Sequence, residues 1–184
     1  MAVVIAGERS GVGKTTVTLA LLAALGRRDP ARVQSFKVGP DYIDPMFHQF
    51  VTGRACRNLD PVLTSESYVV ECFQQHCQTA DYALVEGVMG LFDGVTGKDD
   101  WASTAHIARL LGLPIALVLN CSSTSRSIAA IAHGYTTFDP RLTFAGVILN
   151  RVGSDRHLEL LQDAIAPLHL PILGVLRRQD EITI

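Results

Sequence analysis

Three clusters of charged and hydroxyl side chains interrupt the apolar pattern of the chain, and each follows a short strand-like run. The first is Ser10-Gly11-Val12-Gly13-Lys14-Thr15-Thr16, between Val3-Val4-Ile5-Ala6 and a long apolar-rich stretch. Gly11 and Gly13 let the backbone curl until successive N–H groups face one anion, and the positive end of a following helix adds to that nest. A lysine placed there reaches the β- and γ-phosphates of a nucleotide, and the hydroxyl after it suits a magnesium ion. Gly11, Val12, Gly13, Lys14, Thr15 and Thr16 are therefore the expected phosphate-binding residues, with Thr15 a metal ligand. In the usual spacing a glycine and four residues precede Gly-Lys-Ser/Thr. Here Glu8 holds that first position and the glycine falls one earlier, at Gly7, so the loop is one residue longer.

The second cluster is Lys37-Val38-Gly39-Pro40-Asp41-Tyr42-Ile43-Asp44-Pro45, at the end of a strand-like run. Ligands of open parallel sheets bind outside the carboxyl ends of strands. Asp44-Pro45 also reads as a helix N-cap with proline at the first helical position, which accounts for Asp44 in part but not for Lys37 or Asp41. The third cluster, Glu86-Gly87-Val88-Met89-Gly90-Leu91-Phe92-Asp93-Gly94, follows Tyr82-Ala83-Leu84-Val85. An acid at a strand's end before a glycine-rich loop is where phosphoryl-transfer enzymes keep a second magnesium group. Between the clusters, Arg54, Arg57 and Asn58 either hold a carboxylate-rich substrate or pair with nearby acids.

The elements that must position these groups alternate along the chain. Strands are expected over residues 32–38, 82–86, 115–119, 144–150 and 171–176, after the first at the N-terminus. Helices are expected over 15–26, 45–51, 64–78, 103–111, from the serine-rich 121–127 to about 135, and over 155–166. Helix 15–26 is apolar nearly all round and is expected to be deeply packed. Residues 27–31 read as a polar turn and 52–63 as an irregular connection. Alternating strands and helices imply a parallel sheet covered on both faces. Lys37, Glu86, Asn120 and Asn150 then line one edge with the phosphate loop.

At 184 residues, 48% hydrophobic and 18% charged, one domain with a sizeable core is expected. A net charge of −2 offers nothing to nucleic acid. No apolar run approaches the ~18–20 residues of a membrane span, and the N-terminus lacks the basic region of a secretory signal, so the cytoplasm is the expected location. Cys56, Cys72, Cys77 and Cys121 form no Cys-x-x-Cys pair, and neither they nor the histidines are assigned to a metal.

Together the three clusters resemble, in order and spacing, the cobyrinic acid a,c-diamide synthases, amide ligases of cobalamin biosynthesis. The resemblance covers nearly the whole chain and only the family's N-terminal, ATP-binding half. It implies an α/β fold: a P-loop NTPase three-layer α/β/α sandwich with a mainly parallel sheet, similar to dethiobiotin synthetase. Residues 1–184 are then the ligase domain. The class I glutaminase domain, with its Cys nucleophile and His–Glu pair, is expected to be absent from this chain, and none of the four cysteines is taken for that nucleophile. The implied reaction is ATP-dependent amidation of the a- and c-acetate side chains of cobyrinic acid, through phosphorylated carboxylates and ammonia from glutamine.

By the same resemblance ATP and Mg2+ are the cofactors, and the partners are a corrinoid and the glutaminase domain, with no nucleic acid or membrane; a homodimer stays open. Glu86 resembles a magnesium ligand and Asp41 a second, while Lys37 stabilises the transferring phosphoryl group. Asp44 and Asp93 resemble residues of substrate handling or catalysis, and Asn150 an adenine-reading asparagine. Hydrogenobyrinic acid a,c-diamide synthase and cobyric acid synthase are the near alternatives. The remote one is a MinD/ParA-like ATPase switch. Those proteins carry a lysine where Arg9 stands and a glycine where Ser10 stands, and lack Lys-Val-Gly-Pro-Asp-Tyr-Ile-Asp.

Overall fold

The computed structural model describes residues 1–27 and 32–179. Its elements run β1 (Ala2–Gly7), α1 (Lys14–Gly26), β2 (Val33–Val38), α2 (Asp44–Thr52), β3 (Arg57–Leu59), α3 (Glu66–Cys77), β4 (Tyr82–Glu86), α4 (Thr104–Leu111), β5 (Ile115–Asn120), α5 (Ser127–Phe138), β6 (Phe144–Val152), α6 (Asp155–Ile165) and β7 (Ile172–Arg177). The strands form one sheet in the order β3-β2-β4-β1-β5-β6-β7, and every pairing is parallel. From central β1 the chain goes outward to β2 and β3, returns through β4, and crosses to β5 on the other side. That reversal opens a crevice beyond the carboxyl end of β1, which the phosphate loop occupies.

The strand period of two decides which side chains meet there. Phe36 and Val38 of β2 and Ala83 and Val85 of β4 face the main core with Val69 of α3, Ile107 of α4, Ile128 of α5 and Leu161 of α6. Ile5, Val33 and Leu84 face the opposite way, where Val17 and Leu22 of α1 cover them. Continuing the alternation puts Lys37 and Glu86 on that second face, in register as strand neighbours. Burying each fully enclosed large side chain, Phe36 or Leu117 for example, contributes about 1.5–3 kcal/mol, so strand register is held firmly.

Several expectations are corrected. Helix α1 is not enclosed: Val17, Thr18 and Leu22 are buried, while Ala20, Leu21 and Ala24 are exposed, because only one side of it meets the sheet. The connection 52–63 contains a strand, β3, which pairs with β2 through Phe36, Lys37 and Val38. Helix α5 runs on to Phe138, with the Thr136 and Thr137 hydroxyls bonding back to the carbonyls of Ala132 and His133. Helix α3 begins at Glu66, capped by the Ser65 hydroxyl, which accepts from the Tyr68 amide. The polar turn expected over residues 27–31 lies outside the described residues from 28 onward. Among the described residues no helix is long and apolar enough to cross a membrane.

Candidate active site

The phosphate loop leaves β1 at Gly7 and enters α1 at Lys14. Gly13, at the N-cap, has φ +97°, and a Cβ there would stand 2.2 Å from Asn150 Nδ2, so both conformation and space demand glycine. Gly11 has φ +73°. The extra residue is anchored: the Tyr135 hydroxyl donates to the Glu8 carbonyl, and Glu8 Oε1 accepts from the Asn120 amide at 3.4 Å. On the far side, Asn150 Nδ2 donates to the Val12 carbonyl at 2.8 Å. Ends of β5 and β6 thus clamp the loop between them.

Lys14 Nζ donates to the carbonyls of Met89 at 2.6 Å and Arg9 at 3.1 Å. Met89 reaches it from a left-handed conformation, φ +47°, a strained arrangement for a non-glycine residue. Burial, and then the charge of Lys37, bring the Lys14 ammonium down to about 8.

Lys37, at the end of β2, gathers three carboxylates: Asp44 Oδ2 at 2.5 Å, Glu86 Oε1 at 2.9 Å and Asp41 Oδ2 at 3.7 Å. Its side chain is 4% exposed, so these interactions are only weakly screened. Burial works against its charge, but Glu86 and Asp44 outweigh it and hold the ammonium above its ordinary value. Glu86 is fully buried. Burial pushes its carboxyl up; the hydrogen bond from His48, the charge of Lys37 and the Thr15 hydroxyl prevail and bring it down to about 2. Asp44 goes the other way, raised by burial and by Glu86 and Asp41 against the pull of Lys37.

Thr15 Oγ1 lies 2.6 Å from Glu86 Oε1 and 3.4 Å from Asp44 Oδ2. Neighbouring oxygens around octahedral magnesium, with bonds of about 2.0–2.1 Å, stand roughly 2.9 Å apart, so Thr15 and Glu86 suit adjacent ligand positions. No group of three or more His, Cys, Asp or Glu side chains forms a metal cage among the described residues. Magnesium is usually held by one or two protein groups plus phosphate oxygens and water, so Thr15 and Glu86 are enough protein ligands for it. Asp41 is partly engaged elsewhere: its Oδ1 accepts the Ile43 and Asp44 amides, capping α2 in place of the cap expected from Asp44 itself. Of the two aspartates, Asp44 stands nearer Thr15.

A cavity of about 630 Å3 joins these groups, lined by Gly11, Gly13, Lys14, Thr15, Thr16, Lys37, Asp41, Asp44 and Arg151, with Ile43, Phe47, Val88 and Met89 as its apolar wall. A second, of about 340 Å3, adjoins it at Gly13 and Thr16 and is lined by Asn150, Arg151 and the end of β7. Asp93 lines neither. It is exposed and its Oδ2 accepts the Gly90 amide at 2.8 Å, bracing the glycine loop. Arg54 points away to Thr79, whereas Arg57 and Asn58 line a separate groove with Tyr42. Asn58 also ties that groove to the site, donating to the Asp41 carbonyl at 2.7 Å.

Sequence reasoning missed His48, whose ring sits 2.6 Å from Glu86 Oε2 in full burial. Its signal was present: His48 follows Asp44 by four residues, one helical turn along the same face of α2. It also missed the Met89 carbonyl, for which no side-chain type offers a cue.

A glycine loop with Gly11 and Gly13 in left-handed conformation, closed by Lys14 and Thr15 at the carboxyl edge of a parallel sheet flanked by helices, defines a nucleotide-binding protein of the phosphate-loop α/β class. Solved structures of that class share the fold. Hydrogenase maturation factor HypB of Archaeoglobus fulgidus superposes with TM-score 0.58 at 16% identity, covering 97% of this chain and 80% of that one. Chloroplast FtsY of Physcomitrella patens does so with TM-score 0.65 at 16% identity, covering 95% and 57%.

More narrowly, the chain belongs to the CobQ/CobB/MinD/ParA nucleotide binding domain family, whose pattern matches residues 3–184. It is 79% identical over its whole length to a cobyrinate a,c-diamide synthase of Synechococcus sp., covering 40% of that protein. It is 63% identical to one of Synechocystis sp., covering 38% of it. A hydrogenobyrinate a,c-diamide synthase of Streptomyces coelicolor is 51% identical over 95% of this chain and 36% of that protein. The chain therefore spans about two fifths of the length of the curated relatives it matches.

Proposed function

We propose that this chain is the ATP-binding ligase part of a cobyrinic acid a,c-diamide synthase. In this reading it transfers the γ-phosphoryl group of ATP to acetate carboxylates of a corrinoid, in the cytoplasm, and ammonia from a glutaminase part completes each amide. The observation that carries it is the gathering of Lys37, Asp41, Asp44 and Glu86 beside Lys14 and Thr15, supported by the 79% identity to a protein of that name.

Lys14 neutralises the β- and γ-phosphates from inside the loop, and the α1 N-terminus adds its dipole. Thr15 and Glu86 would hold magnesium, with Asp44 as the nearer and Asp41 as the farther supporting carboxylate. Bound there, magnesium would supply charge neutralisation between the phosphoryl oxygens. Lys37 faces the acceptor side, where it pairs with the incoming carboxylate and with the charge that builds on the phosphoryl oxygens. A carboxylate oxygen bonds the γ-phosphorus as the bond to the β-bridging oxygen breaks and ADP leaves. Ammonia then bonds the acyl carbon, the bond from that carbon to the phosphate oxygen breaks, and phosphate departs carrying one of the ammonia protons.

The apolar wall of Ile43, Phe47, Val88 and Met89 suits the body of a large macrocycle, and the smaller cavity beside Asn150 suits the nucleotide base. Asp93 supports catalysis indirectly by holding the loop after β4 in place. Hydrogenobyrinic acid, the same ring without cobalt, is the second reading, favoured by the 51% identity to a synthase named for it. Incubating the chain with each acid, ATP, magnesium and an ammonium salt tests both. Mass spectra are expected to show two successive exchanges of acid for amide. An unchanged corrinoid, from a folded and ATP-binding sample, would count against the proposal.

A further inference from the structure

Glu86 is held more completely than its partners on the phosphate side require. Oε1 receives the Thr15 hydroxyl at 2.6 Å and Lys37 at 2.9 Å, while Oε2 is taken by His48 Nε2 at 2.6 Å. Both residues of the last pair are wholly buried. The other ring nitrogen of His48, Nδ1, stands 3.4 Å from Cys56 Sγ. Burial pushes the Cys56 thiol up to about 12, so sulfur keeps its proton and can donate it. With a proton on Nε2 the ring donates to the carboxylate, and Nδ1 is then placed to accept from the thiol.

We propose that His48 is a positioning residue: it fixes the rotation of the Glu86 carboxylate, keeps Oε1 facing Thr15, and so sets how strongly magnesium supports nucleotide binding. The inference rests on the reading of Thr15 and Glu86 as the magnesium groups. The physics is that of a terminal carboxylate torsion, which is broad and soft when nothing holds it. Without the imidazole, Oε2 is a buried acceptor lacking a donor, and the carboxylate relieves this by turning to share Lys37 through both oxygens. Oε1 then leaves Thr15. Asp44 and His48 lie a turn apart on α2, so one helix carries both a supporting carboxylate and the group that aims the principal one. Outer partners of this kind are worth ~10–100-fold in metal affinity.

The test is a magnesium titration of fluorescent ATP-analogue binding, with a parallel series in EDTA and a melting curve for each variant. His48→Ala is expected to raise the magnesium concentration at half-maximal tight binding by ~10–100-fold, with affinity in EDTA unchanged. His48→Gln, whose amide can donate toward Oε2, is expected to recover most of that loss. His48→Phe fills the space without donating; it is expected to behave as the alanine variant does and covers the case in which alanine fails to fold. A magnesium requirement within about twofold of the wild type in the folded non-donating variants would overturn the proposal, whatever their melting temperatures. Wild-type nucleotide binding that ignores magnesium would instead overturn the metal reading itself, and the inference with it.

Discussion

Replacing Glu86 by glutamine removes one charge from the centre of the site while leaving its shape. Glu86 is wholly buried and its carboxyl lies at about 2 in the fold, against an ordinary 4.5. That gap corresponds to about 3 kcal/mol of stability from the ionised form. The folded value lies below the unfolded one, so the contribution is complete above pH ~4.5 and vanishes as pH falls toward ~2. The amide mimics the protonated acid, so Glu86→Gln is expected to lose about 3 kcal/mol at neutral pH. For a chain of this length that lowers Tm by ~6–12 °C. The variant should stay folded at 25 °C, because Lys37 retains Asp44 at 2.5 Å and typical domain stability is about 5–15 kcal/mol. ATP turnover with corrinoid and ammonium, measured on that folded protein, is expected to fall ~10²–10³-fold. Denaturant unfolding in EDTA at pH 7 and pH 3 gives the second reading: the wild type loses stability toward the lower pH, and the variant loses less by the Glu86 share. Turnover close to wild type, or an identical pH dependence in both proteins, would refute the assignment of charge and function to this carboxylate.

Lys14 is held down at about 8, so in the nucleotide-free fold the neutral amine prevails only above pH ~8, and stability should rise between pH ~8 and ~10.5 as the unfolded chain also gives up its proton. Binding an ATP analogue at pH 8.5 should restore the ammonium, and calorimetry in buffers of different ionisation enthalpy is expected to show proton uptake; no uptake would contradict it. Gly13→Ala would drive a methyl group into Asn150 at 2.2 Å and strain φ +97°, so nucleotide affinity is expected to fall at least ~10-fold, read by analogue fluorescence. Arg109 bridges Asp100 at 2.5 Å and Asp139 at 2.8 Å, away from the cavity. Arg109→Ala is expected to cost about 1–3 kcal/mol in denaturant unfolding and leave nucleotide affinity unchanged.

Groups that follow a strand or open a helix were legible in the sequence, because the strand–loop–helix pattern fixes where they must lie. Lys37 and Glu86 are an instance: each stands at the end of a strand-like run, and parallel pairing brings them into register. The edge strand β3 was not legible. Arg57-Asn58-Leu59 has no alternation long enough to read, and it is defined by its partner β2. The exposed face of α1 was hidden for another reason. Alanine and leucine all round a helix say that it can be buried, not that there is enough neighbouring structure to bury it. His48 lay one turn from Asp44, yet a lone histidine carries no sign of its partner, and Glu86 is far away along the chain. Asp93 was marked only by the family resemblance, as a residue of substrate handling or catalysis; no local pattern announced that its Oδ2 accepts the Gly90 amide and braces the loop.

The central claim is that a substrate carboxylate oxygen attacks phosphorus beside Lys37. Corrinoid acid labelled with oxygen-18 in its acetate carboxylates, incubated with ATP, magnesium and ammonium, tests it directly. The account predicts one labelled oxygen in the released phosphate for each amide formed. Amide formation with unlabelled phosphate would contradict it.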